Sequence, residues 1–406
     1  MSGISAMPPL SPPVTLPEDA ELAGFSDLFD GEWVWRAHCA SFGQPEDPPH
    51  RLRLRQLSYN PRRRAVLTCA AEWLHDDFVT QESFAIELAP GQPARLFRYP
   101  QDPHLPGLSD AASPETACSL FNRHVVEIPV RRVRVNVVRY RPGGHAVLRH
   151  RVGQVRFYVR VMRPERVFRL MEAAELVAPS GFALPRLAGC WTEGGVVWLS
   201  EIPGTNVRRL IRKDDAIDPK LILDALTGLW NIPDPANGRR PFSLRGAYRR
   251  ARRVFRQVLR DHDGPRRTLR EAVAALDPFV QTWQPSGTAH NDFYDDQMIR
   301  IPDGRLALVD FEETGLGDPL LDVGNFLAHT RWSANFGPEA EAKASGAYYR
   351  RMREAALDRF GWDERALNLR EAVCIFRVCT NPVRHLAPDW PHRLDEGLSL
   401  ANELVA

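Results

Sequence analysis

The sequence predicts an α+β protein in which a strand-rich first half precedes a largely helical second half. Short apolar runs separated by turn residues follow one another over residues 32–99 and again over 124–161, a pattern typical of antiparallel strands. Beyond Pro203 the apolar residues recur at helical spacing, interrupted by one strand pair near 298–310. These changes of period predict the fold class.

The composition is that of an ordinary globular protein with nearly balanced charge. The chain has 406 residues, of which 44% are apolar and 26% charged, and its formal net charge is +2. Because single cores rarely grow to this length, we expect several packed units. The small net charge argues against a protein built mainly around nucleic acid.

Several features predict a cytoplasmic protein with neither a membrane nor a nucleic acid among its partners. The six cysteines are scattered without a C-x-x-C pair, which favours reduced thiols in a reducing compartment. The segment from Met1 to Pro17 lacks the basic start and the apolar core of a secretory signal. No apolar run approaches the ~20 residues needed to span a bilayer. The oligomeric state stays open.

The chain divides into a lead and three units. A Pro-rich stretch over 100–118 separates the two strand-rich regions, and a helix is predicted near 164–178. The apolar run at 33–42 is predicted to be a strand. The expected boundaries are a disordered lead at 1–20, a β-rich N-terminal domain at 21–120, a second strand-rich unit at 121–203 and a helical unit at 204–406.

One internal repeat is present, in the frame Y-x-P-x-x-x-A-V-L. It occurs at 59–67 and at 140–148, and both copies predict a strand, a tight turn opened by Pro, and a second strand. Only the second copy carries glycines, Gly143 and Gly144. Either two hairpins are similar by chance, or a hairpin has been duplicated and its second turn brings backbone N–H groups to phosphate oxygens.

The segment 288–329 carries the residues most suited to chemistry. Two short apolar runs flank a Pro-Asp-Gly turn at Asp303, which predicts a hairpin. Folding the chain about this turn places Gln297 beside Asp310, with Asp292 in the loop that leads into the first strand. Carboxylate and amide oxygens that converge in this way suit Mg²⁺, which completes its shell with phosphates and water.

The same segment resembles a known superfamily. The spacing His-x-Asp-x-x-x-x-Gln at 290–297, followed by a hairpin that ends in Asp310-Phe311-Glu312 and by Gly-Leu-Gly-Asp-Pro, resembles the aminoglycoside phosphotransferase and choline kinase superfamily. The resemblance implies a protein-kinase-like two-lobed fold, here with an additional N-terminal mainly β domain. It also implies transfer of the γ-phosphoryl group of ATP or GTP to a hydroxyl of a small molecule, for example an aminoglycoside, a sugar or an amino alcohol.

The resemblance also implies a role for each matching position. Asp292 corresponds to the residue that accepts or orients the proton of the substrate hydroxyl. Asp310 corresponds to the aspartate that holds Mg²⁺, and Gln297 stands where most members have a second metal ligand, Asn. Gln at this position also fits a maltokinase-like branch. We expect His290 to support the loop by hydrogen bonding and Asp318 to cap the following helix and brace the loop.

The nucleotide side follows from the same resemblance. Arg160 stands where the family has a lysine that contacts the α- and β-phosphates and pairs with a helix glutamate. Glu172 is the expected partner, with Glu175 as the alternative. The backbone of Glu201 and Ile202 is expected to form the hinge that reads the adenine edge, and the glycine turn of the repeat to face the phosphates.

Two other functions stay open. The departures at Arg160 and Gln297 are compatible with a nucleotide-binding pseudokinase or scaffolding module, and the N-terminal β domain is compatible with a structural partner protein. The basic stretch 248–260 is interpreted as the exposed faces of a packed helix, because its apolar residues recur at helical spacing. Contact with an anionic substrate is the alternative interpretation of those arginines.

Overall fold

The structure is a computed structural model that describes residues 16–43, 48–75, 78–213, 217–233 and 241–406. Within these ranges the chain forms fourteen strands in four sheets together with thirteen α-helices. The mixed α and β composition of the prediction is confirmed. None of the described helices is both long and apolar enough to cross a bilayer, and all six cysteines are free thiols.

The first sheet is antiparallel and forms the centre of the N-terminal unit. Its strands pair in the order of the chain, with Tyr59 opposite Ala65 across the first hairpin. One helix precedes the sheet, and both share an apolar cluster. The elements are α1 (Gly31–Phe42), β1 (Arg51–Asn60), β2 (Arg64–Leu74), β3 (Val79–Leu88) and β4 (Arg95–Arg98).

The strand predicted at 33–42 is wrong, because this segment lies in α1. Asp30 caps the helix by accepting hydrogen bonds from the backbone N–H groups of Glu32 at 2.9 Å and Trp33 at 3.4 Å. The apolar residues of this segment then follow helical spacing, so that Val34 and Trp35 are buried on one face.

The predicted disordered lead extends too far into the chain. Residues 1–15 lie outside the described residues, but residues 16–20 are packed on the first hairpin, with Leu16 and Asp19 buried. One carboxylate oxygen of Asp19 accepts from the Tyr59 hydroxyl at 2.7 Å and from the Arg62 backbone N–H at 2.7 Å. Asp19 therefore ties this segment to the turn between β1 and β2.

The second sheet is also antiparallel, but the order of its strands departs from that of the chain, with β9 inserted between β7 and β8. Two helices that precede it share its apolar cluster through Leu108 and Phe121. This packing groups residues 108–124 with the second sheet, whereas the sequence predicted a boundary at residue 120. The elements are α2 (Leu108–Ala112), α3 (Pro114–His124), β5 (Arg134–Arg141), β6 (His145–Val152), β7 (Val155–Met162), α4 (Val167–Val177), β8 (Leu187–Trp191) and β9 (Val196–Ser200).

The repeat found in the sequence extends to a shared turn structure. In the second hairpin Asp102 accepts from the Tyr140 hydroxyl at 3.0 Å and from the Gly143 backbone N–H at 2.7 Å, as Asp19 does in the first. The turn residues Arg62 and Gly143 have left-handed φ angles of 63° and 66°. Because the same aspartate clamp holds both turns, duplication explains the repeat better than chance similarity.

The remainder of the chain is mainly helical and contains two small sheets, β10-β12-β13 and β11-β14. Six of its helices (α7, α8, α9, α11, α12 and α13) share one apolar cluster with the first sheet. The elements are β10 (Thr205–Asn206), α5 (Val207–Arg212), α6 (Pro219–Trp230), α7 (Leu244–Val258), α8 (Asp263–Thr282), β11 (Gly287–Ala289), β12 (Met298–Arg300), β13 (Leu306–Leu308), β14 (Gly315–Gly317), α9 (Pro319–Phe336), α10 (Glu339–Phe360), α11 (Glu364–Val378), α12 (Asn381–Arg384) and α13 (Trp390–Val405).

Candidate active site

The loop that carries Asp292 follows β11 and is held by a buried carboxylate at the start of α9. Asp322 accepts hydrogen bonds from the backbone N–H groups of His290 at 2.7 Å and Asn291 at 2.8 Å, and from the Trp230 indole at 3.1 Å. Burial raises the pKa of Asp322 to about 7, against the effect of these donors. His290 is itself buried, and neither of its ring nitrogens has a hydrogen-bond partner among the described residues, so its predicted support of the loop by hydrogen bonding stays a prediction.

The turn of this loop requires a glycine nearby. Asn291 has a left-handed φ of 69° and donates from Nδ2 to the Glu313 carbonyl at 2.9 Å. A Cβ atom at Gly317 would meet the Asn291 side-chain oxygen at 1.9 Å, so only glycine fits there. The Gly-x-Gly segment of β14 thus lets the loop lie against it.

Asp318 has a structural role one turn before Asp322. It caps α9 by accepting from the Leu320 backbone N–H at 3.0 Å, and it also accepts from Trp283 Nε1 and Arg370 Nε, both at 2.9 Å. The predicted cap is therefore present. The direct contacts with the loop are made by Asp322, one helical turn further on.

Asp292 lies in the wall of a large cavity with its carboxylate within 3.7 Å of Arg377. Its side chain retains 45% exposure, so it is open to a ligand in the cavity. Burial raises the pKa of Asp292 to about 6; Arg377 opposes this rise and the charge of Asp310 adds to it. The carboxylate is thus mainly ionised at neutral pH and able to accept a proton.

The hairpin of β12 and β13 brings Gln297 next to Asp310, as predicted. Met298 pairs with Leu308, and the Val309 backbone N–H donates to the Gln297 carbonyl at 3.0 Å. The Gln297 side chain is buried, and its Oε1 has no hydrogen-bond partner among the described residues. Asp310 lines the same cavity as Asp292.

These oxygens fit a magnesium ion that is bound mostly by phosphates and water. A buried acceptor without a donor is the group that a cation would satisfy, and Mg²⁺ commonly takes only one or two protein carboxylates. Within the described ranges, no group of three or more His, Cys, Asp or Glu side chains is placed to hold a metal. Asp310 and the amide oxygen of Gln297 are the groups that could hold such an ion here.

Arg160 connects the second sheet to this hairpin. It extends from β7 to Asp310, at 3.4 Å, and to Glu312, at 2.8 Å. Burial opposes ionisation of Asp310, but Arg160 and a hydrogen bond with Glu312 lower its pKa. Burial raises the pKa of Glu312, Arg160 opposes this rise, and the charge of Asp310 adds to it.

The contacts of Arg160 are with Asp310 and Glu312, and the expected pair with Glu172 stays a prediction. Leu170 and Ala173 point from α4 into the core, which turns Glu172 and the alternative Glu175 to the exposed face of the helix. Hydrophobic packing of α4 thus decides the direction of both glutamates.

The glycine turn also differs from the prediction. The Gly143 N–H donates to Asp102, and the Gly144 N–H donates to the Arg141 carbonyl at 3.0 Å. A Cβ atom at Gly143 would meet the Arg64 guanidinium at 2.6 Å. Both N–H groups donate hydrogen bonds within the protein. The glycines therefore allow the turn to bind Asp102 and to lie close to Arg64 of the first sheet.

The predicted hinge residues lie at the end of β9, away from the two aspartates. The Glu201 backbone N–H donates to the Arg156 carbonyl at 3.1 Å, and its carboxylate pairs with the Arg156 guanidinium at 3.3 Å. Neither Glu201 nor Ile202 is in the wall of the cavity that contains Asp292 and Asp310.

The cavity has a volume of ≈ 990 Å³, and its walls come from distant parts of the chain. The first sheet supplies residues 57–60, and α7, α9 and α11 supply further walls. The sequence analysis missed most of the basic residues here, although the alternation of arginines along β5 was a usable signal. Six of the basic lining residues are Arg139, Arg141, His145, Arg377, Arg384 and His385.

Comparison with solved structures finds similar folds among phosphotransferases. An aminoglycoside phosphotransferase, APH(4)-Ia, in a ternary complex with AMP-PNP and hygromycin B is 12% identical, with 71% of this chain and 98% of that chain covered and a TM-score of 0.50. Spectinomycin phosphotransferase APH(9)-Ia in complex with ADP and spectinomycin is 12% identical, with 72% of this chain and 99% of that chain covered and a TM-score of 0.48. Plasmodium vivax ethanolamine kinase is 13% identical, with 66% of this chain and 82% of that chain covered and a TM-score of 0.45.

At such identities the likeness concerns the fold alone, and no curated protein matches the chain by sequence. A sequence model of the phosphotransferase enzyme family, however, matches residues 131–360, which is more than half of the chain and includes Arg160, Asp292, Gln297 and Asp310. The resemblance to the aminoglycoside phosphotransferase and choline kinase superfamily is thereby confirmed. The chain belongs to the phosphotransferase enzyme family and is a small-molecule kinase, an enzyme that transfers phosphate to a hydroxyl group.

Proposed function

We propose that this enzyme transfers the γ-phosphoryl group of ATP to a hydroxyl of a small molecule bound in the large cavity. One observation carries the proposal: Asp292 and Asp310 line the same cavity, while the buried Gln297 offers an unpaired amide oxygen beside Asp310. A phosphotransferase needs a proton acceptor and a metal site at one place, and these residues supply both.

In this mechanism Asp292 orients the acceptor hydroxyl and takes its proton as the new O–P bond forms. The bond between the γ-phosphorus and the β,γ-bridging oxygen breaks at the same time, and ADP leaves with that electron pair. Asp310 and Gln297 would hold Mg²⁺, which supplies neutralisation of the phosphate charge when bound. Catalysis is then mainly positioning and charge stabilisation by groups already in place.

Arg160 and the second sheet would form the nucleotide side. The guanidinium is fixed by Asp310 and Glu312, close enough to the metal ligands to reach a phosphate when these pairs rearrange. ATP is favoured over GTP because APH(4)-Ia was solved with AMP-PNP. Gly143 and Gly144 would then contribute through the position of their hairpin, since their N–H groups are already used.

The proposal includes a two-lobed, kinase-like division in which the second sheet and the helical unit face each other across the Arg160 contact. The backbone of Glu201 and Ile202 would still form the connection between the two lobes. We place the reaction in the cytoplasm, where ATP is available and the six free thiols are stable.

Replacing Asp292 by Asn tests the proposal directly. Full-length protein is incubated with Mg·ATP and a panel of hydroxylated metabolites, and phosphorylated product is detected by mass spectrometry. We expect D292N to lose at least about a hundredfold in turnover while Mg·ATP still raises its melting temperature. The exposed Asp358 provides the matched control D358N, which should behave as the parent. Unchanged turnover by D292N would remove Asp292 from the mechanism.

A second candidate is a nucleotide-binding protein without transfer activity. It is favoured by the Arg160 ion pair, which occupies the carboxylate of Asp310, and by the engagement of both glycine N–H groups. Binding of Mg·ATP without product from any acceptor in the panel would support it over the kinase.

A further inference from the structure

Three arginines crowd one side of the cavity and are named here the basic cluster: Arg139, Arg141 and Arg384. Arg139 and Arg141 alternate on β5 and therefore lie on one face of the strand, whereas Arg384 comes from α12. All three line the cavity together with Asp292 and Asp310.

The basic cluster has no internal counter-charge. No carboxylate of the described part of the chain lies within ion-pair distance of its members, whereas Arg208 pairs with Asp295 at 2.9 Å and Arg377 with Asp292 at 3.7 Å in the same cavity. The Arg141 Nε is buried without a hydrogen-bond partner. These guanidinium groups are therefore open to an added anion.

Arg384 is held in position by a neutral group from the first sheet. With its amide oxygen turned toward α12, Gln56 accepts from Arg384 Nε at 2.5 Å and from Nη2 at 3.0 Å. This contact orients the guanidinium without supplying an opposite charge. The N-terminal unit thus shapes the basic cluster as well as the cavity wall.

The three charges repel each other in the present arrangement. Burial, then Arg384 and Arg139, lower the pKa of Arg141 to about 10. Burial also lowers the pKa of Arg384, and the charge of Arg139 lowers it further. A bound anion would relieve this repulsion, and planar guanidinium groups suit the oxygen pairs of phosphate or carboxylate.

The position of Arg384 indicates the acceptor rather than the nucleotide. Arg384 lies in α12, which follows α11, the helix whose Arg377 is 3.7 Å from Asp292, and all three residues line the cavity. The charge of Asp292 also favours the charged form of Arg384. Arg384 is therefore assigned to the side of the proton acceptor. It lies beyond residues 131–360, the part of the chain that the family model matches. An amine-bearing acceptor would be repelled here.

Building on the proposed function, we propose that the acceptor is a hydroxylated small molecule that carries an oxyanion, either a phosphoryl or a carboxylate group. The basic cluster binds the oxyanion while the hydroxyl reaches Asp292. The cavity is large enough for such a molecule next to a triphosphate.

The test uses four probes that share one sugar skeleton: glucose 6-phosphate, gluconate, glucose and glucosamine. Binding to the full chain is measured by calorimetry at up to about 10 mM probe, with the nucleotide site filled by Mg·AMP-PNP. We expect one or both anions to bind and glucose and glucosamine not to bind. Preference for glucose 6-phosphate indicates a phosphoryl acceptor, and preference for gluconate a carboxylate acceptor.

Variants link the binding to the basic cluster. R384Q should weaken the bound anion about tenfold or more and change the affinity for Mg·AMP-PNP less than about twofold. Because R384Q also loses the contact with Gln56, the exposed Arg139 provides a second variant, R139Q, that leaves the packing intact. R267Q removes one charge from an exposed position on α8 and should bind like the parent.

The proposal is overturned if neither anion binds, if glucose or glucosamine binds as tightly, or if R384Q and R139Q both keep the parental affinity for the anion. If the two variants lose as much affinity for AMP-PNP as for the anion, the basic cluster belongs to the nucleotide site and the proposal is also overturned. These outcomes are separate from the D292N experiment: anion binding without any phosphoryl transfer would leave the cluster assigned and remove the proposed function.

Discussion

Arg160 occupies the position where the superfamily resemblance implies lysine, and the shape of its side chain explains its contacts. A guanidinium presents several donors in one plane and can bind two carboxylates at once, as Arg160 does with Asp310 and Glu312. A lysine ammonium is a point charge and would suit one helix glutamate. The guanidinium of Arg160 therefore suits its two carboxylate partners.

The motif residues were predictable from the sequence, whereas the direction of many other side chains was not. Asp292, Gln297 and Asp310 follow from a fixed spacing around a tight turn, which local chemistry determines. Glu172 was assigned from its distance along the chain, whereas its exposed position is set by the packing of α4. Arg384 reaches the cavity only through the docking of α12, which no local pattern indicates.

His150 provides a prediction about pH and stability. It is fully buried; Trp198 Nε1 donates to its Nδ1 at 3.2 Å, and its Nε2 lies 2.8 Å from the Ala111 carbonyl. Burial lowers its pKa to about 4, against the effect of the carbonyl. The ordinary pKa of histidine is near 6.5, so as the pH falls the unfolded chain takes up a proton at this residue before the folded chain does. The contribution of neutral His150 to the unfolding free energy is therefore fully present above about pH 6.5 and is lost as the pH falls toward 4.

We expect His150 to account for about 2 kcal/mol of the loss in unfolding free energy between about pH 7.5 and pH 5. Urea unfolding of the parent and of H150Q, which keeps a donor and an acceptor but does not titrate, measures this share. The variant should lose less stability over the same interval. Equal pH dependence in both proteins would show that His150 does not stay neutral in the fold.

At the scale of secondary structure, the two clamped hairpins offer a matched pair of turns. Arg62 and Gly143 occupy equivalent positions with left-handed φ angles, and an aspartate accepts the backbone N–H of each. A residue with a side chain is strained in this conformation, whereas glycine is not.

Exchanging the residues at these turns should change stability in opposite directions. R62G should raise the unfolding free energy by up to about 1 kcal/mol, and G143A should lower it by about 1–2 kcal/mol or more, since its Cβ would also meet Arg64. R62A is the control, because it removes the charge and keeps the strain. Stability of R62G no higher than that of R62A, measured by urea unfolding, would contradict the argument.

The strands and turns were more predictable than the N-terminal helix. Proline opens the turn of both hairpins, so the positions of these turns followed from the sequence. The run at 33–42 contains aromatic and apolar residues that suit either a strand or a helix, and the cap at Asp30 decides for the helix. A short apolar segment is compatible with either a strand or a helix unless the capping residue is also considered.

At the scale of the whole molecule, the N-terminal unit is joined to the helical unit by a common core. Buried residues of the first sheet, such as Leu57 and Phe84, belong to the same apolar cluster as Tyr248, Phe255 and Phe376. We propose a domain boundary near residue 99, with residues 108–124 in the second unit. The predicted helical unit at 204–406 agrees with the order of the elements, which are mainly helices in this range, and its boundary stays a proposal.

Deleting residues 1–98 should therefore destabilise the kinase part. Each large apolar side chain returned to water costs about 1.5–3 kcal/mol, and the cluster contains several, against a total stability of about 5–15 kcal/mol. We expect the shortened chain to aggregate or to lose its near-ultraviolet circular dichroism signal. A soluble product with a cooperative melting transition would show instead that the first sheet is an independent addition.

The paired aspartate clamps also bear on the ancestry of the chain. Asp19-Ala-Glu-Leu22 and Asp102-Pro-His-Leu105 each place a buried leucine three residues after the aspartate that holds the turn. The family match begins at residue 131 and passes over the first copy. A search for two such aspartates, each about forty residues before a Tyr-x-Pro turn, would therefore find relatives that descend from the same doubling event.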